Sequence, residues 1–258
     1  MDDHTERNRS YWTGINSAYT DGEAEKDWAQ EQITWGVFQV PESQLQLLGE
    51  VRGLDVVELG CGTAYFSAWL MRRGARPVGV DVTPAQLASA RRCQEKLGLS
   101  FPLIEASAEQ VPLPDASFDL VVSEHGASLW CDPERWLAEA SRLLRPGGRL
   151  VFMTTSTLLT MCIPDDAEST AGTELLRGVR DIRRVQWADG STEFHPSHGE
   201  WIALLRKRGF EVERFEEVYA PLGSEEHSFY KLASIEWSQK WPVEEIWSAQ
   251  KRRKQTQS

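Results

Sequence analysis

Short runs of consecutive apolar residues, separated by amphipathic segments, dominate the middle of this 258-residue chain. Five such runs predict buried strands over 54–59, 77–82, 101–105, 118–123 and 149–155. Helices are predicted between them over 65–73, 84–97 and 133–144. Strands that are apolar throughout and alternate with helices are typical of a parallel sheet covered by helices on both faces.

The alternation loosens after the fifth run, and we expect an insertion at about 156–196 on the substrate side of the fold. Residues 185–194 have the pattern of a hairpin that turns at Asp189–Gly190. One helix and two strands are predicted after it, over 197–208, 210–219 and 243–249. The sequence therefore predicts a doubly wound α/β fold with a mostly parallel seven-stranded sheet.

The N-terminal residues 1–40 are rich in aromatic and charged side chains and lack a continuous apolar run. Their spacing predicts a helical cover that lies over the main domain, which we place at 41–258. A short helix over 42–48 is expected after Pro41.

The charge and the apolar pattern of the chain limit which classes of partner molecule we expect. The formal net charge is −11, and the one dense basic run is at the C-terminal tip, Lys251–Lys254. Proteins that bind a phosphate backbone usually carry a basic face, so we expect no nucleic-acid partner. No apolar run approaches the roughly 20 residues that span a bilayer, so we expect no membrane partner. The polar residues Met1–Asn8 lack the apolar stretch of a secretory signal, and a cytoplasmic location is expected.

The cysteines carry no recognisable metal or disulfide pattern. They are widely spaced, with no Cys-x-x-Cys pair, at Cys61, Cys93, Cys131 and Cys162. We expect reduced thiols and no bound metal. The oligomeric state stays open, with a homodimer as one alternative.

The candidate chemistry lies at the end of the first predicted strand. Glu58 is followed by Gly60 and Gly62, which let the backbone turn sharply and let a ligand approach closely. The next strand ends at Asp81, which could bond both hydroxyls of a ribose or cap the following helix. The bulky Tyr65 stands where a dinucleotide fingerprint has its third glycine, which argues against a pyrophosphate loop.

Four successive motifs resemble those of the class I S-adenosylmethionine-dependent methyltransferases, in particular the small-molecule branch of the ubiquinone and sterol type. They read VVELGCGTAYFSAWL, VGVDVTPAQLASAR, EASAEQVPLPDASFDLVVSEHG and RLLRPGGRLVF. The resemblance covers residues 54–155 and is specific because the motifs agree in order. It implies S-adenosylmethionine as cofactor and a small-molecule acceptor that is methylated on oxygen, nitrogen or carbon.

The resemblance also implies roles for individual residues. Glu58 would bond the cofactor's ammonium group, Asp81 its ribose hydroxyls, and Val82 would pack on the adenine. Many relatives carry an aspartate where Ser107 stands, so the adenine amino group could instead be bonded by Glu109. The full set of implied cofactor contacts is Tyr19, Glu58, Gly60, Gly62, Asp81, Val82, Ser107, Ala108, Glu109 and Ser123.

Catalytic and acceptor-binding candidates follow the fourth strand and lie in the insertion. His125 is the first candidate for a general base, because an imidazole titrates near neutral pH, and Glu124 is the second. Trp130 is expected to wall the acceptor pocket, with His195 and His198 closing over it.

Three alternatives remain open from the sequence. A protein methyltransferase would share the same cofactor motifs, and a nicotinamide-dependent oxidoreductase would share the glycine loop and Asp81. A binding module that keeps the fold without catalysis is the third. A nucleobase-directed enzyme is disfavoured, because Ser123–Gly126 reads Ser-Glu-His-Gly in place of an Asn/Asp-Pro-Pro-Tyr motif.

Overall fold

A seven-stranded sheet forms the centre of the computed structural model, which describes residues 3–18, 21–166, 169–225 and 231–253. Its strands are β1 Asp55–Leu59, β2 Arg76–Asp81, β3 Leu103–Glu105, β4 Phe118–Glu124, β5 Leu144–Thr155, β6 Phe210–Val218 and β7 Glu244–Lys251. They are ordered β6-β7-β5-β4-β1-β2-β3. Strands β1 to β5 pair in parallel, and β7 pairs antiparallel with both β5 and β6. The predicted doubly wound, mostly parallel sheet is confirmed.

This strand order determines where a ligand can bind. The chain leaves β1 towards β2 on one side and reaches β4 on the other side of β1, so the order reverses at β1. In open parallel sheets, ligands bind at the carboxyl ends of the strands at such a point. Because β7 runs antiparallel to β5, its first residue, Glu244, lies at the same edge, opposite Thr155.

Helices cover both faces of the sheet. They are α1 Asp3–Ala18, α2 Asp21–Ala29, α3 Glu42–Leu45, α4 Tyr65–Arg72, α5 Pro84–Leu97, α6 Ala127–Trp130, α7 Pro133–Leu143, α8 Thr157–Cys162, α9 His198–Lys207 and α10 Ile235–Lys240. On one face, Trp136 and Trp201 of α7 and α9 pack with Phe152. On the other face, Phe66 of α4 packs with Met153 of β5. Within the part of the chain that the structure describes, no helix combines the length and the apolar character needed to cross a bilayer.

Two short hairpins complete the fold. The first pairs Thr34–Trp35 with Val40–Pro41, and we call it the N-terminal hairpin. The second pairs Val185–Gln186 with Thr192–Glu193, as the sequence predicts, and we call it the insertion hairpin. A single 3-10 turn, Asp181–Arg183, precedes it among the described residues.

Some predicted boundaries were wrong. Residues 1–40 are not helical throughout, because the chain turns into the N-terminal hairpin after Ala29. The short helix ends at Leu45 rather than 48, since the next residue, Gln46, has a left-handed backbone with φ +52°. Strand β5 begins five residues early, at Leu144, with a bulge where its pairing to β4 shifts register.

Candidate cofactor and acceptor site

The turn after β1 is held in place by close backbone contact with the loop after β4. Gly60 has φ +76°, and a Cβ added there would lie 2.6 Å from the Ala127 nitrogen. A Cβ on Gly126 would in turn lie 2.5 Å from the Leu59 oxygen. Both contacts are shorter than any side chain tolerates, so the two glycines let the strand ends meet. Gly60 was expected to lie against a ligand, and Gly126 was not among the predicted site residues.

Gly62 has a different environment. Its φ is +53°, and the nearest heavy atom to an added Cβ would be Gln86 Oε1, at 3.9 Å. That oxygen is buried and has no hydrogen-bond partner among the described residues. We call the open space at Gly62, beside this oxygen, the cradle. A buried acceptor without a partner next to such a space is the arrangement expected where a ligand donates a hydrogen bond. Sequence reasoning missed Gln86 because it lies on α5, outside the glycine motif.

Asp81 connects the glycine turn to the end of β2. Its Oδ2 accepts the Gly62 N–H at 2.8 Å, and its Oδ1 accepts the Thr83 N–H at 2.8 Å. Burial raises the pKa of this carboxyl, against the lowering effect of these bonds. Asp81 does not cap α5, whose N-cap position is Thr83. The carboxylate therefore stands at the strand tip beside Gly62, as the ribose-binding hypothesis requires.

Glu58 is buried below the turn, with 3% of its surface exposed. Its Oε2 accepts hydrogen bonds from the Ser67 N–H at 2.9 Å and the Ser67 hydroxyl at 2.5 Å. Burial, supported by the nearby charges of Glu124 and Asp81, raises the pKa of Glu58 to about 8 despite the Ser67 bonds. At neutral pH this carboxyl is therefore mostly protonated in the absence of a positive ligand.

The residues expected around adenine divide into two groups. Val82 and Ser107 are half-buried, and Ala108 is buried beside them. Glu109 is engaged elsewhere: Oε1 lies 2.6 Å from His4 Nε2, and Oε2 accepts from Arg135 Nη1 at 2.9 Å. Its carboxylate thus fastens α1 and α7 to the sheet edge.

Ser123 lies in the core of the sheet. It is fully buried, and its hydroxyl donates to the Leu59 oxygen at 2.9 Å and accepts the Ser128 N–H at 3.2 Å. In this arrangement the side chain holds β4 to β1 and to α6. Alternation along β4 directs Ser123 away from the face that carries Glu124, and its contact with the cofactor stays a prediction.

Glu124 lies under the N-terminal hairpin. Its Oε2 accepts the Tyr65 hydroxyl at 2.6 Å, and its Oε1 accepts the Gly36 N–H at 3.3 Å. Burial raises the pKa of Glu124, while the neighbouring His125 and the Tyr65 bond oppose that rise. Both oxygens have protein donors, so Glu124 is a poor candidate for abstracting a proton from an acceptor.

His125 is held by a buried carboxylate. Its Nε2 lies 2.6 Å from Glu244 Oε1, and its backbone has φ +46°. Burial alone lowers the pKa of His125, but the hydrogen bond and charge of Glu244, with two further carboxylates, raise it from 6.5 to about 9. The imidazole is therefore charged at neutral pH. This charge state disfavours the general-base role predicted from the sequence.

Trp130 joins the loop after β4 to the N-terminal helix. Its indole stacks on Tyr11 at 5.9 Å between ring centroids and meets Trp12 edge-on at 5.2 Å. Its Nε1 donates to the His125 oxygen at 2.7 Å. Trp130 therefore lies beside His125, as expected for a wall of the acceptor pocket. Tyr19, the predicted contact of the cofactor, lies outside the described residues.

The two insertion histidines do not meet His125. His195 is 3% exposed and lies between Thr160 Oγ1, at 3.2 Å, and Glu193 Oε2, at 2.8 Å. His198 bonds Glu245 Oε1 at 2.8 Å. Since Glu244 and Glu245 are consecutive on β7, their side chains lie on opposite faces of the sheet. His198 therefore belongs to the other face from His125.

Asn8 clasps the N-terminal helix to the insertion. Its Nδ2 donates to the Thr192 oxygen at 2.8 Å, and its Oδ1 accepts the Thr192 N–H at 2.8 Å. Nδ2 also donates to the Trp130 oxygen at 3.0 Å. One side chain thus links α1, the insertion hairpin and α6 at the edge where β4 ends.

A doubly wound sheet with an antiparallel β7, a glycine turn and a carboxylate on the next strand tip defines a Rossmann-like protein of the class I methyltransferase fold. Residues 57–152 match the family model described as Methyltransferase domain. This match, together with the relatives below, shows that this part of the chain is similar to methyltransferase domains.

Known proteins resemble different lengths of the chain. The demethylmenaquinone methyltransferase of Thermus thermophilus is 41% identical over 100 residues, 38% of this chain and 46% of that protein. The malonyl-[acyl-carrier protein] O-methyltransferase of Hahella chejuensis is 32% identical over 163 residues, 62% and 56% of the two chains. The chain thus spans about half the length of these relatives. The structure of an S-adenosylmethionine-dependent methyltransferase from Mesorhizobium loti superposes with a TM-score of 0.61 and 26% identity. The superposition covers 81% of this chain and 95% of that chain.

Substitution of the two glycines should separate folding from ligand binding. Gly62→Ala has room for its methyl group and costs about 1 kcal/mol of backbone strain. The methyl group would occupy the cradle, so we expect about tenfold weaker binding of S-adenosylhomocysteine by calorimetry with little loss of Tm. Gly60→Ala should instead lower the Tm strongly, since its methyl group meets the Ala127 backbone. Equal effects of both variants on Tm would contradict this division.

Protonation of Glu58 should be linked to cofactor binding. An ammonium group near Glu58 lowers its pKa from about 8, so binding releases a proton. Affinity for S-adenosylhomocysteine should then rise from about pH 6 to pH 8, by up to about tenfold per pH unit. Calorimetry in buffers of different ionisation enthalpy measures the released proton directly.

The matched variant for this linkage is Glu58→Gln, which should abolish the proton release. The same variant tests how stability depends on pH. The pKa of Glu58 is raised from 4.5 to about 8 in the folded protein. Its contribution to the free energy of unfolding is therefore fully present below pH 4.5 and is lost as the pH rises towards 8. The variant should unfold with less dependence on pH across that window. Proton release that persists in Glu58→Gln would assign the linkage to another group.

The Asn8 clasp should control ligand exchange. Asn8→Ala removes the paired bonds to Thr192 and should speed release of S-adenosylhomocysteine about tenfold, because α1 and the insertion hairpin can then separate. Stopped-flow tryptophan fluorescence measures the rate. The control is Thr13→Ala on the exposed side of α1, whose hydroxyl donates to the Arg9 oxygen within the same helix. An unchanged release rate in Asn8→Ala would show that the clasp does not limit exchange.

Proposed function

We propose that this protein transfers a methyl group from S-adenosylmethionine to a small-molecule acceptor. The observation that carries the proposal is the open cradle at Gly62, between the Asp81 carboxylate and the unpartnered Gln86 Oε1. These groups fit the cofactor: it offers hydroxyl and ammonium donors, and the cradle offers acceptors and space. When bound, the cofactor supplies an activated methyl group on a positively charged sulfur.

The chain's own residues would bind and orient the cofactor. Asp81 would accept from the ribose hydroxyls, and Glu58 would take up the ammonium as it loses its proton. Val82, Ser107 and Ala108 would surround the adenine, and the turn at Gly60 would face the methionine part. Transfer of an activated methyl group depends mainly on alignment and on the exclusion of water, both of which an enclosed site provides.

The acceptor would bind at the ends of β4 and β5, beside Glu124, His125 and Trp130. We propose that residues 1–40 form the cover of this site and that the insertion at about 156–196 closes its acceptor side, with His195 and His198 supporting that segment. The clasp at Asn8 supports this arrangement, because it joins both segments at the strand ends. A site closed in this way favours a small molecule over a folded protein as acceptor.

The acidic charge supports the remaining parts of the proposal. A chain with a net charge of −11 is poorly suited to nucleic acid or to an anionic lipid surface, so we propose a cytoplasmic enzyme of small molecules. The relatives are named for a quinone precursor and for a malonyl group on a carrier protein, which suggests acceptors built on carbonyl or acidic oxygen groups.

Calorimetry tests the proposed function. We expect S-adenosylhomocysteine to bind and NAD to give no heat, because the turn at Tyr65 does not suit a pyrophosphate. Asp81→Asn should weaken binding about tenfold by removing charge from the ribose acceptor. His125→Ala should leave this affinity unchanged while methyl transfer falls. Tight binding of NAD with no response to S-adenosylhomocysteine would reject the assignment.

A further inference from the structure

His125 has a backbone conformation that is uncommon for residues other than glycine. Its φ of +46° lies in the left-handed region, where a side chain is strained. The Trp130 indole N–H bonds its carbonyl at 2.7 Å, and Glu244 bonds its ring. Strain that is held by specific contacts at a strand end is a frequent property of functional sites. The ring remains 22% exposed, so a ligand can reach it.

Glu244 is placed to act on that ring. It has no exposed surface, and its Oε1 accepts the Val37 N–H at 3.0 Å as well as facing His125 Nε2. The adjacent turn is shaped around it, since a Cβ on Gly36 would lie 2.1 Å from Glu244 Oε2. A carboxylate this deeply buried is costly unless it is paired, and its charged partner here is His125.

The charges around His125 come from three elements. Glu244 lies on β7, Glu124 precedes His125 on β4, and Glu193 lies on the insertion hairpin. Glu124 is bonded by Tyr65 and by the N-terminal hairpin, and Glu193 by His195. Among the described residues, only Glu244 forms a hydrogen bond with the His125 ring, through Nε2, and none bonds its Nδ1. A charged ring therefore has one N–H donor left for a ligand.

We infer that Glu244 is a positioning residue that holds His125 as a hydrogen-bond donor at the acceptor edge, and that the methyl acceptor presents an oxyanion to that donor. The inference rests on the proposed function, since it names the class of acceptor for the same site. Carboxylates, acidic phenols and enolates belong to this class. Alcohols and alkylammonium groups, which must first lose a proton to a base, do not.

The reaction balances without a base. An electron pair of the acceptor oxygen forms the new bond to the methyl carbon, and the sulfur–carbon bond breaks. The electrons of that bond remain on sulfur, which becomes a neutral thioether. The acceptor arrives ionised, so the protein removes no proton, and His125 keeps both of its N–H groups throughout.

The charge state of His125 can be measured in the full-length protein. NMR of histidine labelled at the ring carbons gives each titration, and His125→Gln assigns the His125 signal. The wild-type midpoint should lie about 9, against the ordinary 6.5. Glu244→Gln should lower it by about two pH units, because the isosteric amide keeps the shape and removes the charge. A wild-type midpoint at or below 6.5 overturns the inference even if no variant folds.

The matched control is the neighbouring glutamate. Glu245 has the same arrangement on the opposite face, with His198 Nε2 at 2.8 Å from its Oε1. Glu245→Gln should shift the titration of His198 and leave that of His125 in place. If both variants move the His125 midpoint equally, the effect is a general electrostatic one and Glu244 does not position His125.

The acceptor class is tested with paired probes that differ in charge. With S-adenosylhomocysteine bound, benzoate at millimolar concentration should shift the His125 signal saturably at about pH 8, whereas benzamide and benzylamine should not. Glu244→Gln should weaken the benzoate response about tenfold, since the His125 imidazole of that variant is neutral at this pH. No saturable response to benzoate, or an equal response to benzamide or benzylamine, overturns the oxyanion assignment. Failure to bind S-adenosylhomocysteine would instead reject the proposed function.

Discussion

The close approach of two backbones at the strand ends is the constraint on which the site depends. Gly60 and Gly126 occupy positions where a single methyl group on either would meet the other's backbone. Because they fit together, the turn after β1 and the loop after β4 lie side by side. That arrangement places the candidate cofactor cradle next to Glu124 and His125, so one contact fixes the distance between the proposed cofactor site and the proposed acceptor site.

Buried carboxylates on one face of the sheet then set the charge of the site. Glu58, Glu124 and Glu244 lie at the same strand edge, on β1, β4 and β7, and each is held by a different donor. Glu58 has only neutral donors, and burial keeps it largely protonated. Glu244 has a positive partner in His125. The two carboxylates thus differ in their surroundings, because one is bonded by dipoles and the other lies against an imidazole.

Local patterns predicted the sheet well and the contacts across it poorly. Helix α5 has its predicted bounds, because Pro84 and Gly98 mark its ends in the sequence. Gly62 and Asp81, on the proposed cofactor side, could be predicted because they lie at the ends of predicted strands. The pairing of His125 with Glu244 joins residues 119 apart, and no local pattern reports such a contact. The partner also decides the charge of the imidazole, and this pairing disfavours the general-base hypothesis.

Residue alternation on a strand explains the other difference between sequence and structure. Ser123 and Glu124 were both expected at the site, yet consecutive strand residues point to opposite faces, and only one of them can face a given cleft. The same rule separates Glu244 from Glu245, each of which bonds a histidine on its own face. The two glutamate–histidine pairs are thus chemically alike and differ in position. His125 lies beside the glycine turn and Trp130, whereas His198 packs against Phe215 on the other face, so position favours the first pair for the proposed acceptor role.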